Sequence, residues 1–172
     1  MRFVRILFGI LLNFVLAVNE EPNKLAGDKG MWYISPSHAD DPLMRKLSLH
    51  LLNDTFSINK LPQFGEIPAI LSKGEMCFIF RTDEELTIIC PDFMAPNNVQ
   101  QELGWRCIMV EGPMKLDEVG VLASLAEPLA SANVPIMAVS TYNTDYIFVA
   151  EENLVHAVQA LQKAGHEFVH KE

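Results

Sequence analysis

Asp145 is the residue whose chemistry asks most of its surroundings. It lies in "STYNTDYIFVAEENLVHAVQALQKAGH", Ser140 to His166, at the head of an apolar, β-branched and aromatic run, with Ser140, Thr141 and Thr144 crowded beside it. A strand that buries one face keeps carboxylates out of such a run or turns them to solvent. Two readings stay open. Asp145 accepts backbone N–H bonds in the turn after Asn143, since Asn and Asp are standard turn formers, or it waits for a cationic group on a ligand. Little else in the chain offers chemistry. No GxSxG, HExxH or Gly-rich phosphate loop occurs, and "GDKG" at 27–30 lacks the lysine-serine context of a phosphate loop. The histidines His38, His50, His156, His166 and His170 are dispersed, and His156 and His166 flank a surface helix, where solvation is expected. Cys77, Cys90 and Cys107 each sit in an apolar run without a CxxC pair or a histidine at ligand spacing. They read as buried free thiols with no zinc site. The chain is read as no enzyme, with no cofactor and no metal.

The elements that position Asp145 come from a chain of 172 residues, 49% hydrophobic, enough for one domain or two small ones with a real core. The net charge of −9 argues against a nucleic-acid surface. An odd number of cysteines without a disulfide pattern leans towards a reducing compartment. The N-terminus leans the other way: "MRFVRILFGILLNFVLAV" has two arginines and then an apolar run, with Val15 and Ala17 at a plausible cleavage point. That run is too short for an ordinary membrane span. If the chain is secreted, Asn53-Asp54-Thr55 is a glycosylation sequon.

Residues 1–43 are read as apolar leader and polar linker, the latter rich in Pro, Gly and Asp. From Met44, "RKLSLHLL" alternates Leu47, Leu49 and Leu51 and predicts a strand; "TFSINKLP" predicts a second, with Asn53-Asp54 as the turn between them. "EIPAILSK" predicts a short helical turn, and "EMCFIFRT" and "ELTIICPD" predict a hairpin around Thr82-Asp83-Glu84. "GWRCIMVEG" then predicts a strand and "DEVGVLASLAEPLASANV" a helix with Leu122, Leu125, Ala126 and Leu129 inward, Asp117 as N-cap and Pro128 kinking it or marking its last turn. "PIMAVSTY" and "TDYIFVA" predict two strands joined near Asn143. A last helix runs from about Glu151 to Ala164 with Leu154, Val155, Val158 and Leu161 inward and Gly165 as its stop, before a closing strand in "HEFVH". The second half is therefore β-α-β-β-α-β, the ferredoxin-like split βαβ plan, and the first half is a shorter version of it.

The block "GWRCIMVEGPMKLDEVGVLASLAEPLASANVPIMAVSTYNTDYIFVAEENLVHAVQALQKAGH" resembles the small tandem ACT-domain proteins and the ligand-binding ACT units of the CASTOR-type cytosolic arginine sensors. The likeness covers roughly residues 44 to 170, and its most specific pieces are "GVLASLAEPLA" and "STYNTDYIFV". It implies an α+β fold of two tandem ferredoxin-like ACT-type units with antiparallel sheets, the first shortened: 44–100 and 101–172. It also implies regulatory binding of a free amino acid at a seam between units. Carried over by position, the loop side of the site is Lys115, Leu116, Asp117, Glu118, Val119 and Val121, and the strand side is Thr141, Tyr142 and Asp145. In the arginine sensors the position matching Asp145 engages the ligand's cationic end, and that matching Glu118 also faces the ligand. One departure is Phe78, which stands where relatives often carry a small hydroxyl residue; a bulky apolar wall suits a smaller or more hydrophobic amino acid. Met44 resembles the family's usual start.

Elementary chemistry fits that outline. A loop feeding a helix N-terminus exposes unpaired N–H groups and partial positive charge, which suit an α-carboxylate. Asp145 or Glu118 suits an ammonium or guanidinium, Thr141 offers a hydroxyl and Tyr142 a ring face. Plainer roles stay open beside these: Glu118 as a first-turn acid favoured by the helix dipole, Tyr142 and Tyr146 as strand aromatics, Trp105 as core or seam. The expected function is a non-catalytic regulatory amino-acid binder, the alternative an interaction scaffold on the same fold. A homodimer through exposed sheet edges, or a regulatory protein partner, fits either; nucleic acid and membrane do not. The expected location is the cytoplasm, with secretion as the alternative if residues 1–17 are a signal peptide.

Overall fold

The computed structural model describes residues 45–72 and 76–169, so the leader and linker expected over 1–43 lie outside the described residues. Seven strands form one sheet: β1 (Ser48–Pro62), β2 (Phe78–Arg81), β3 (Glu85–Pro91), β4 (Gln100–Val110), β5 (Ile136–Ser140), β6 (Asp145–Ala150) and β7 (Glu167–Phe168). Helix α1 (Val121–Ser131) follows β4 and helix α2 (Leu154–Lys163) follows β6. The order across the sheet is β2-β3-β1-β4-β6-β5, with β7 also beside β1. Every pairing is antiparallel except that of β1 with β7. The fold is thus α+β on an antiparallel sheet, and the second half has the expected β-α-β-β-α-β order. Among the described residues no helix is long and apolar enough to cross a membrane.

The first half differs from expectation at Asn53-Asp54, which is not a hairpin turn. β1 runs through it as one strand of 15 residues, and both halves pair with β4, from Leu49 opposite Val110 to Lys60 opposite Gln100. The register shifts between Leu51 and Thr55, so the exposed Asn-Asp pair is taken up as a bulge. Turn and bulge need the same residues, polar and tolerant of irregular backbone; the long partner β4 decides between them. A second shift lies between Phe56 and Ile58, opposite the stretch of β4 that holds Gly104 at φ 74°. The bulges let β1 serve two neighbourhoods. Its start is inserted between β4 and β7, Leu49 lying opposite both Val110 and Phe168, while its end pairs with β3, Pro62 opposite Glu85.

The helices cover one face of the sheet. Leu49 and Val110, Ile108, Ile147 and Val149 meet Val121, Leu125 and Leu129 of α1 and Ala157 and Leu161 of α2 in one buried cluster. The spacing 121, 125, 129 is the core stripe of α1. In α2 the stripe is centred on Ala157 and Leu161, and Val155, expected inward, is exposed, because it lies a half-turn away from Ala157. On the other face Phe148 meets Phe56 and Phe78 edge-on, with ring centroids 5.5 and 5.8 Å apart, and Tyr146 lies 5.0 Å from Phe78. Trp105 packs against this second cluster, as core. A third cluster under the short 3-10 turn Ala69–Ser72 gathers Leu61, Leu71, Leu86, Ile88, Cys90 and Met94.

His166 also departs from expectation: it is 3% exposed and structural rather than solvated. Pro128 sits inside α1 and has no N–H, so the Ser124 carbonyl one turn earlier loses its helical donor. The His166 Nε2–H donates to that carbonyl at 3.0 Å, while Nδ1 accepts the Leu47 N–H at 3.3 Å. Because the backbone N–H can only donate, the imidazole is fixed as the Nε2–H tautomer. Helix α1 continues through Pro128 to Ser131.

Candidate functional site

Period-two alternation along β6 puts Asp145 on the face of Ile147 and Val149, the helix side, but beyond the last core layer. Two connections meet there: the loop from the end of β4 into α1, and the β5–β6 turn. The turn is self-contained. Thr141 donates its hydroxyl to the Thr144 carbonyl at 2.8 Å and accepts the Thr144 N–H at 3.3 Å. It is also stitched down: the Thr144 hydroxyl donates to the Val110 carbonyl at 2.6 Å, and the Met114 N–H donates to Asn143 O at 2.8 Å. Gly112 makes this approach feasible, since a Cβ there would stand 2.8 Å from Asn143 O and 3.3 Å from the Thr144 Cβ.

The loop closes on itself as well. The Glu118 N–H donates to Lys115 O at 3.1 Å, and Glu118 Oε1 accepts the Lys115 N–H at 3.3 Å. This turn takes Asp117 out of the helix, so Asp117 is exposed and is not the N-cap. That position belongs to Gly120, at φ 84° and without a side-chain cap. The first intrahelical bond is Ser124 N–H to Gly120 O. The N–H groups of Val121, Leu122 and Ala123 therefore have no acceptor among the described residues.

A cavity of about 300 Å³ opens between the loop, the start of α1 and the turn. Of the residues expected at the site, Lys115, Leu116, Glu118, Val121, Thr141, Tyr142 and Asp145 line it; Asp117 and Val119 do not and are exposed. The lining also takes in Met114, Gly120, Leu122, Ala123, Ser140, Asn143 and Thr144. Most of these are direct neighbours of the expected residues, in stretches whose composition fits turn or helix equally well. Phe78, expected at a wall of the site, belongs instead to the aromatic cluster on the other face of the sheet. A larger hollow of about 560 Å³ between the C-terminal ends of the helices is lined by Pro128, Ala132, His156, Gln159 and Lys163. It holds no buried unpaired charge.

The charges around the smaller cavity are distinctive. Asp145 is 8% exposed, and among the described residues its carboxylate takes no hydrogen bond and no ion pair. The turn it follows is closed by Thr141, so the turn-forming role for Asp145 falls away. Glu118, by contrast, is paired: Arg45 Nη2 lies 2.7 Å from its Oε2, a charge contact that does not meet hydrogen-bond geometry. The two buried thiols, Cys90 and Cys107, offer no alternative centre. Burial pushes Cys107 up to about 12 and also raises Cys90.

A family model for the ACT domain matches residues 100–163, a span that contains the whole cavity lining. Protein Atu0741 from Agrobacterium tumefaciens, known by crystal structure, is 32% identical, with a TM-score of 0.69 over 74% of this chain and 96% of that one. The chain is an ACT-domain protein of the same family as Atu0741. The Vibrio cholerae protein VC0802, described as a possible transport protein of unknown function, is 25% identical over 72% of this chain and 93% of its own, with a TM-score of 0.58. The cytosolic arginine sensor for mTORC1 subunit 1 of Bos taurus is 35% identical over 60 residues, 34% of this chain but only 18% of the sensor. What this ACT domain holds in common with the sensor is thus a segment of it.

Proposed function

We propose that this protein is a regulatory binder of a free amino acid, held in the cavity beside Asp145. One observation carries the proposal. An uncapped helix N-terminus and a largely buried aspartate, whose carboxylate has no protein partner and keeps some solvent contact, line the same 300 Å³ space. A zwitterion complements the two: its α-carboxylate takes the N–H groups of Val121, Leu122 and Ala123, favoured by the helix dipole, and its ammonium takes Asp145. The Tyr142 ring, 78% exposed at the rim, covers the ligand's stem. Lys115, Leu116, Glu118 and Val121 form the loop wall; Asp117 and Val119 act by shaping the loop. The short shared segment with an arginine sensor supports an amino acid as the ligand class.

The finer architecture belongs to the same reading. Residues 44–100 form a reduced ACT-like unit in which the end of β1, β2 and β3 stay antiparallel and the 3-10 turn Ala69–Ser72 stands in for a first helix. Residues 101–172 form the ligand-binding unit. β2 and β5 end the sheet and offer edges for a homodimer. The protein acts without catalysis, in the cytoplasm, by passing its ligand state to a partner.

The test is a thermal-shift survey of the full chain against the twenty amino acids, with Asp145→Ala alongside. A ligand at about a hundred times its dissociation constant adds roughly 2.7 kcal/mol, which moves the midpoint by several degrees. A shift by one or a few amino acids that disappears in the variant supports the proposal. No shift from any of them, with the variant folded normally, leaves the interaction scaffold as the better reading.

A further inference from the structure

Glu118 and Asp145 are two carboxylates on one cavity, and only one of them is free. Glu118 Oε1 takes the Lys115 N–H at 3.3 Å, and Oε2 has Arg45 Nη2 at 2.7 Å. Lys115 lines the same cavity and adds a further cation that has no carboxylate partner among the described residues. The charged side chains at the site are therefore Arg45 and Lys115 against Glu118 and Asp145. This sum is zero: Arg45 and Glu118 pair, and Asp145 and Lys115 are each left without a partner among the described residues.

We infer that Arg45 sets the ligand's charge: by occupying Glu118 it leaves room for a single cation, so the cavity selects amino acids with an uncharged side chain over arginine or lysine. The inference rests on the amino-acid reading of the cavity. It differs in outcome from a two-carboxylate site, in which a ligand with an ammonium and a guanidinium would satisfy both acids. Here a second ligand cation finds Glu118 already neutralised and meets Arg45 and Lys115 as like charges. It must displace Arg45 to gain anything. Arg45 and Glu118 are partly exposed, 41% and 23% by side chain, so their pairing is of the modest kind. The selectivity it imposes is accordingly about fivefold rather than absolute.

Isosteric probe pairs separate charge from shape. Citrulline matches arginine in size without its charge, and norleucine likewise matches lysine. Calorimetric titrations of the full chain are expected to show citrulline binding about fivefold tighter than arginine, and norleucine tighter than lysine. In Arg45→Met the arginine-to-citrulline ratio shifts several-fold towards arginine, while Arg45→Lys, which keeps the charge, retains the wild-type order. A merely structural Arg45 would weaken all four probes together and leave the ratios unchanged, which overturns the inference. Arginine binding the wild type more tightly than citrulline overturns it equally. Binding of none of the four to either wild type or Arg45→Met also overturns the inference; the amino-acid reading itself falls only if the survey of all twenty amino acids shows no shift either, so the two failures stay distinguishable.

Discussion

Asp145→Asn separates a residue kept for a ligand from one kept for the fold. The change replaces one carboxylate oxygen by an NH2 group of similar size and removes the charge. In the wild type that carboxylate accepts no hydrogen bond and no ion pair among the described residues, so the amide forfeits no protein contact. What it loses is attraction to the nearby positive end of α1, on the order of 0.3–1 kcal/mol. What it gains is relief from partial desolvation of the charge, a term of opposite sign that stays small because the carboxylate keeps solvent contact. The net change in the ligand-free protein is within about 1 kcal/mol of zero. A structural aspartate behaves otherwise, since each hydrogen bond to a charged group is worth about 1.5–3 kcal/mol. Urea unfolding of the full chain measures the difference. With a slope of about 2 kcal/mol per molar, the midpoint moves by no more than about 0.5 M and the slope is unchanged. A loss beyond about 2 kcal/mol would mean that Asp145 supports the turn or the sheet, and the case for a ligand carboxylate would fail.

Other predictions follow from the contacts around the site. His166→Phe keeps a ring but leaves the Leu47 N–H and the Ser124 carbonyl buried without partners, so denaturation should show a loss of roughly 2–5 kcal/mol; undiminished stability would show that neither group depends on the imidazole. Gly112→Ala places a Cβ 2.8 Å from Asn143 O, where the neighbour is backbone and cannot swing away. It should cost about 1–3 kcal/mol and weaken ligand binding at the displaced turn, as read by calorimetry. Cys107 titrates only at about 12 in the fold, against 9.0 when free, so the unfolded chain releases this proton first. The stability held below pH 9 falls as pH rises towards 12, by at most on the order of 4 kcal/mol, and Cys107→Ala should flatten that alkaline limb of the unfolding curve.

Periodic segments were legible in the sequence and compensated irregularities were not. The hairpin at Thr82, the stripe Leu125–Leu129 and the stop at Gly165 each follow from a local rule that nothing distant overrides. Asn53-Asp54 is not decided locally because turn and bulge share a composition, and the partner strand that decides between them begins nearly fifty residues later. Asp117 failed as a cap because the Lys115–Glu118 turn, closed partly by a side chain, delays the helix to Gly120. Pro128 and His166 are each awkward alone: one withdraws a donor and the other supplies it, and only the fold brings them to 3.0 Å. Arg45 illustrates the same limit at the site, since its pairing with Glu118 joins residues more than seventy positions apart.

The cavity's two unmet demands are best understood together. A serine, threonine or aspartate at the N-cap accepts an N–H of the helix, worth about a few tenths of a kcal/mol over glycine, yet the chain has Gly120, whose positive φ admits the loop and whose missing side chain leaves the helix end bare. A buried aspartate ordinarily finds such donors, yet Asp145 shares a cavity with three of them and bonds to none. Either feature alone is a tolerable local loss. Two groups of opposite polarity, unspent in one 300 Å³ space, are the arrangement expected when both partners belong to a third molecule that carries an anion and a cation a few bonds apart. An α-amino acid is the smallest common molecule of that description. Selection for stability alone would have joined the two groups directly, so the gap between them is the part of the structure that argues for function.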